Sequence, residues 1–306
     1  EITDTLFDSV TFGTSTGWMY SYNSEAPKTH SKEDWNNFIY NNLFADNCNV
    51  NALELAAGRV KYELKRADYK VGVYLPLFYT QSYFESWGSV NGKTLDFTVN
   101  ADRITALKWL VDEMISAFDS QNYSNLQLRG FYYISEGLPQ DEAADLKIIL
   151  SEITNYIRSK NLITYMAPYN GAYGSNRTDS PNWKDCGFDE ATYQINYFPG
   201  AEALPNAKQD SAEINKIAVK AAEMGASIQM ELCSATERTS IGGLKEYFKG
   251  GIEHAYMNNG FISWWIQGSG DNLSRLCGSD DAYLRSAYDE VYKFIQKTLT
   301  VDEIVL

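Results

Sequence analysis

Two short apolar runs in this chain each end in a glutamate, and paired carboxylates are sufficient for acid–base chemistry. The first run is Gly130-Phe-Tyr-Tyr-Ile-Ser-Glu136, which turns at Gly137. The second is Ala226-Ser-Ile-Gln-Met-Glu-Leu232, which carries Glu231. Two such groups facing each other across a sugar can split a glycosidic bond. One protonates the leaving oxygen while the other attacks the anomeric carbon or activates water. Packing of Tyr132, Tyr133 and Ile134 near the first carboxyl is expected to raise its pKa by desolvation, as an acid role requires. The second run alternates: Ser227, Gln229 and Glu231 fall on one face of a strand, Ile228, Met230 and Leu232 on the other. The polar set is predicted to face inward. The same parity turns Gln194 and Asn196 inward, and likewise Ser263, Trp265 and Gln267. The plain structural alternative for either glutamate is to partner the N-terminus of the next helix or to form half of an ion pair.

Other chemistries find little support. The two histidines, His30 and His254, lie in no nucleophile-like motif. Cys48, Cys186, Cys233 and Cys277 are widely spread, with no C-x-x-C pair and no histidine beside them, so no zinc site is expected. Free thiols and disulfides both remain open for them. No metal and no cofactor is expected. Gly268-Ser-Gly-Asp271 lacks the lysine of a phosphate loop and reads as a turn. Asn122, Asn176 and Asn272 open glycosylation-acceptor triplets of a kind frequent by chance.

The elements that must position the glutamates alternate between strand and helix. Strands are predicted over 6–12, 70–78, 126–136, 162–169, 191–198, 226–232 and 260–267. Helices are predicted over 32–43, opened by a Ser31/Asp34 capping box, and over 49–67, 102–118, 140–159, 208–224, 240–257 and 281–298. No composition break marks a linker, so residues 1–306 are read as a single domain. The fold class expected is α/β, a (β/α)8 TIM-like barrel whose first strand is atypical or missing. The tail 301–306 is one source for an eighth strand. An open doubly wound sheet is the alternative, but no Gly-rich phosphate turn follows an early strand. Barrel chemistry sits at the carboxyl ends of strands. The long aromatic loops after 12, 78, 169 and 198 mark that face, with Trp18, Tyr20, Tyr22, Tyr79, Tyr83, Trp87 and Trp183 among their residues.

A net charge of −14 disfavours nucleic acid and anionic lipid surfaces as partners, but not a neutral glycan. With 22 Tyr and 7 Trp, the chain is well supplied with rings that stack on sugars, although rings also build cores. No run of 18 or more apolar residues exists, so no membrane insertion is expected. The start at Glu1 without Met suggests either a trimmed sequence or a processed product whose signal peptide is gone.

Several of these stretches follow one another in a familiar order: 130–136, Tyr165-Met-Ala-Pro-Tyr169, Trp183-Lys-Asp-Cys-Gly-Phe-Asp189, Gln194-Ile-Asn-Tyr-Phe198 and Ile228-Gln-Met-Glu231. Together they resemble a bacterial family, domain of unknown function 4855. The resemblance covers most of the chain and implies a glycoside-hydrolase-like TIM barrel common in glycan-degrading gut bacteria. It maps the strand-closing glutamate onto Glu136 and the later acid onto Glu231. Gln229 and Cys233 stand where that family tends to carry acids. Ser135 stands where retaining enzymes of the strand-four type carry Asn. The function expected is a secreted or cell-surface glycoside hydrolase, retaining in mechanism, acting on an oligo- or polysaccharide. Glu136 is its acid/base, Glu231 its nucleophile, and Tyr169, Asn196, Tyr197, Trp265 and Gln267 its substrate contacts. The alternatives are a non-catalytic glycan-binding barrel of a larger protein and a calcium-binding adhesion module.

Overall fold

The structure is a computed structural model that describes residues 3–13, 30–139, 141–169, 183–201, 207–266 and 271–305. The aromatic residues Trp18, Tyr20 and Tyr22, the triplet at Asn176 and the proposed contact Gln267 lie outside the described residues. The chain gathers into two compact units. One is Glu1–Met166 with Trp183–Asp189, and the other is Ala167–Asn182 with Glu190–Leu306.

The first unit contains, in chain order, β1 (Ser9–Thr11), α1 (Lys32–Phe38), α2 (Asn49–Leu64), β2 (Val71–Leu77), β3 (Gly88–Val90), β4 (Lys93–Leu95), α3 (Asn100–Ser120), β5 (Leu126–Tyr133), α4 (Ala143–Arg158) and β6 (Ile163–Met166). β1 pairs with β2, β2 with β5 and β5 with β6, all parallel. The second unit contains β7 (Glu190–Tyr193), α5 (Ala212–Glu223), β8 (Ser227–Leu232), α6 (Arg238–Glu253), β9 (Ser263–Ile266), α7 (Asn272–Cys277) and α8 (Ala282–Ile295). β8 pairs in parallel with both β7 and β9. Within each unit the sheet grows in chain order and never doubles back. A doubly wound sheet reverses its strand order at a switch point, and among the described residues neither unit contains one. The fold is mixed α/β of the TIM-barrel-like kind.

Local rules explain the elements. The Ser31/Asp34 capping box is present: Ser31 Oγ accepts from the Asp34 N–H at 3.3 Å, and Asp34 Oδ2 accepts from the Ser31 N–H at 2.8 Å. α4 buries Leu146, Ile149, Leu150, Ile153 and Ile157, a stripe at helical spacing. Each such side chain contributes about 1.5–3 kcal/mol by leaving water. In β5 a glycine is required at 130, because a Cβ there would lie 1.9 Å from the carbonyl oxygen of Ile163 on β6.

Each of the seven predicted strands is present, with trimmed ends. The predicted loop after 78 contains the β3–β4 hairpin. Its Trp87 is core: the ring packs edge-on to Trp35 at 4.8 Å and stacks on Phe97 at 5.4 Å. Among the described residues the tail supplies no strand, and Val301–Glu303 forms a 3-10 turn. Cys48, Cys186 and Cys277 are free thiols. Among the described residues, no helix is long and apolar enough to cross a membrane.

Candidate functional site

In the second unit β8 lies between two parallel neighbours and is buried along its whole length. Its polar parity therefore has to find partners among other side chains rather than water. The register sets Gln229 opposite Ser263 and Glu231 opposite Trp265. Gln229 Nε2 donates to Ser263 Oγ at 3.1 Å, and the Ser263 and Thr192 hydroxyls lie 2.7 Å apart. Asn259 Nδ2 donates to Ser227 Oγ at 3.0 Å. On the opposite parity, Trp264 meets the α8 ring of Phe294 edge-on at 6.0 Å. Polar and helix-facing sets thus separate as the alternation in 226–232 predicts.

Glu231 closes the polar row and is only 3% exposed. Its Oε2 accepts from the backbone N–H of Asn196 at 2.7 Å and from the hydroxyl of Tyr247 on α6. The same Tyr247 oxygen accepts from the Tyr197 N–H at 3.3 Å. Tyr247 is itself anchored from behind, its carbonyl receiving the hydroxyl of Tyr256. Burial, and then the charge of Glu231, push the Tyr247 phenol well above its ordinary value. It therefore remains a proton donor to the carboxylate.

Asn196 makes this arrangement possible. β7 stops at Tyr193, short of the predicted end at 198, and Asn196 takes a left-handed φ of 57°. Asparagine tolerates that region better than other side-chain-bearing residues. The reversal turns two successive N–H groups, at 196 and 197, toward the Glu231–Tyr247 pair. The Asn196 Nδ2 is buried and has no hydrogen-bond partner among the described residues.

The remaining predicted contacts take different positions. Tyr169 is buried and bridges in parallel to Gln194, whose Nε2 donates to the Ala167 carbonyl at 2.7 Å. Tyr197 is buried with its ring 6.3 Å from that of Tyr247. Trp265 is 40% exposed, with one side of its ring against Phe198 at 5.7 Å. It is the accessible ring of this group.

Glu136 belongs to the first unit. It lies half-buried at a bend just past the carboxyl end of β5. Ser135 Oγ donates to the Gly137 carbonyl at 2.7 Å and ties the bend around it. Tyr132 packs on Tyr165 of β6 at 4.8 Å between ring centres, and Tyr165 meets Tyr74 of β2 edge-on at 5.2 Å. Tyr133 points the other way, onto Phe188 at 5.7 Å. Of the residues expected to crowd the acid, Tyr133 is therefore committed elsewhere.

Sequence reasoning misses two participants. Tyr247 sits in the buried helical stripe of α6 with Ile241, Leu244 and Phe248, and reads as core. Arg103 lies within the helix predicted over 102–118 and reads as a surface cation, yet it is fully buried. Among the described residues, no group of three His, Cys, Asp or Glu side chains is placed to hold a metal ion.

The profile of the family described as domain of unknown function (DUF4855) matches residues 1–293. No curated protein matches the chain. Similar solved structures include the catalytic domain of a family GH18 chitinase from the fern Peteris ryukyuensis, at 12% identity and a TM-score of 0.44, covering 84% of this chain and 82% of that one. A protein assigned as an α-L-fucosidase from Bacteroides thetaiotaomicron matches at 13% identity and a TM-score of 0.42, covering 81% and 73%. The structure of XacCel5A matches at 9% identity and a TM-score of 0.43, covering 85% and 83%.

Proposed function

The chain belongs to the family of domain of unknown function 4855, and from that premise we propose that it is a glycoside hydrolase acting through Glu136 and Glu231. One observation carries the reading: β5 in the first unit and β8 in the second each have a glutamate at or just past the carboxyl end, and the two carboxyl groups have contrasting surroundings. Glu136 is half-exposed at a bend, where it can meet a glycosidic oxygen. Glu231 accepts hydrogen bonds from two neutral donors, the Asn196 N–H and the Tyr247 hydroxyl. The proton donor is Glu136 and the nucleophile Glu231. Attack on the anomeric carbon breaks the bond to the leaving oxygen, which takes the proton of Glu136. Water, deprotonated by Glu136, then releases the sugar. Trp265 offers a ring face to the saccharide, and Tyr169, Asn196, Tyr197 and Gln267 complete the contacts. Work on an oligo- or polysaccharide suits a secreted or cell-surface protein.

Incubating the wild type, Glu136→Gln and Glu231→Gln with a glycan panel tests the assignment. Loss of hydrolysis in both variants is expected. Retained hydrolysis in both would end it. NMR of the first-formed anomer separates retention from inversion.

The near-complete burial of Glu231 favours a second reading, a glycan-binding domain that does not hydrolyse. It predicts saturable glycan binding that is unchanged in both glutamine variants, with no turnover.

A further inference from the structure

Glu136 lies in the connection between β5 and α4, one end of which is tied to the last residue of β2 and the other to the segment that follows β2. At the near end, the Ile134 N–H donates to the Leu77 carbonyl at 3.1 Å. At the far end, Glu142 accepts from Arg103 Nη2 at 2.7 Å with one carboxylate oxygen and from Ser82 Oγ at 2.7 Å with the other. The Arg103 side chain is 1% exposed. Its Nε donates to Thr80 Oγ1 at 3.0 Å, and Nη2 donates to the Thr80 carbonyl at 2.5 Å. One guanidinium therefore joins α3, the segment after β2 and the end of the Glu136 loop. Tyr79 lies beside this cluster, and burial, then the Glu142 charge, push its phenol above the ordinary range.

A buried ion pair is a weak source of stability, because desolvation offsets most of its Coulomb gain, and apolar replacements of similar size are often neutral. What the pair supplies is direction. A planar fork with several donors holds its partners in one geometry, which a lysine ammonium does not reproduce. We propose that Arg103 and Glu142 are positioning residues that set the aim of the Glu136 carboxyl toward the leaving oxygen. This role rests on the reading of Glu136 as the proton donor. A loosened loop would leave binding and nucleophilic attack in place while misplacing the proton, and misplacement of about 1 Å costs on the order of 10²-fold in rate.

The test compares phenyl glycosides, whose leaving group needs a proton, with 2,4-dinitrophenyl glycosides, whose leaving group does not. The variants are the apolar double substitution Arg103→Met with Glu142→Leu, and the single Arg103→Lys, both assayed well below their unfolding temperatures. For both, kcat/KM on phenyl glycosides should fall about tenfold or more, while kcat/KM on dinitrophenyl glycosides, which reports only the step before water enters, stays within about twofold. Equal losses on the two substrates, or no loss on either, would overturn the positioning role. Glu136→Gln is run alongside and should show the same selectivity more strongly. If it does and the clamp variants do not, the clamp idea fails alone. If Glu136→Gln leaves both substrates untouched, the proton-donor reading fails, and this role with it.

Discussion

Tyr247, in the middle of a helix, donates its hydroxyl to the carboxylate of Glu231, at the end of the strand before that helix. The helix core and the candidate nucleophile therefore share one proton-donating group, and changes at Tyr247 should register at Glu231.

Tyr247→Phe removes one of the two identified donors to Glu231 Oε2 and leaves the Asn196 N–H. Hydrogen bonds to charged groups contribute about 1.5–3 kcal/mol. A loss of that size is expected in urea denaturation, with hydrolysis falling by at least about tenfold. Unchanged stability and activity would show that the contact matters to neither.

Alkaline pH should destabilise the protein through its buried phenols. Burial pushes Tyr247 and Tyr256 well above their ordinary value, with the Glu231 charge adding to the first and the Glu253 charge to the second. Unfolded tyrosines release their protons near pH 10. Above that point the unfolded chain holds fewer protons than the folded one, so stability falls with rising pH. It should be flat in this respect below pH 10 and decline beyond it. Denaturant midpoints measured from pH 8 to 11 check the sign, and Tyr247→Phe should flatten the decline.

Gly130→Ala should weaken the first unit. The added methyl would sit 1.9 Å from a backbone oxygen of β6, which cannot swing aside as a side chain can. Overpacking of this kind costs about 3 kcal/mol or more. A shift in the urea midpoint measures it, and a neutral result would mean that β5 and β6 part readily.

Trp265→Ala should act on sugar binding and leave folding largely intact, since the ring is 40% exposed. About tenfold weaker retention in affinity electrophoresis with a bound polysaccharide is expected, alongside a small change in melting temperature. A large melting change with unaltered retention would make Trp265 a packing residue.

Much of this architecture is legible along the chain because it depends on local periodicity. The apolar run 71–77 announces a buried strand, the 146–157 stripe announces a helix, and Ser31 with Asp34 announces where one begins. The alternation of Ser227, Gln229 and Glu231 with Ile228, Met230 and Leu232 also foretells which side chains share a face, because a strand has a period of two. These are properties of residues and their near neighbours.

Only the tertiary structure decided what holds Glu231 and Glu142. Tyr247 and Arg103 occupy positions that look like ordinary core and ordinary surface, since a hydroxyl's or guanidinium's partner lies across many intervening residues. Whether Trp87 packs inside, or Tyr133 turns from the acid toward Phe188, likewise depends on which distant rings arrive beside them. Asn196 lies between these cases: asparagine permits a left-handed turn, but only the nearby carboxylate gives that turn a purpose. Sequence selects the chemistry available to the chain, whereas packing determines which of those groups meet.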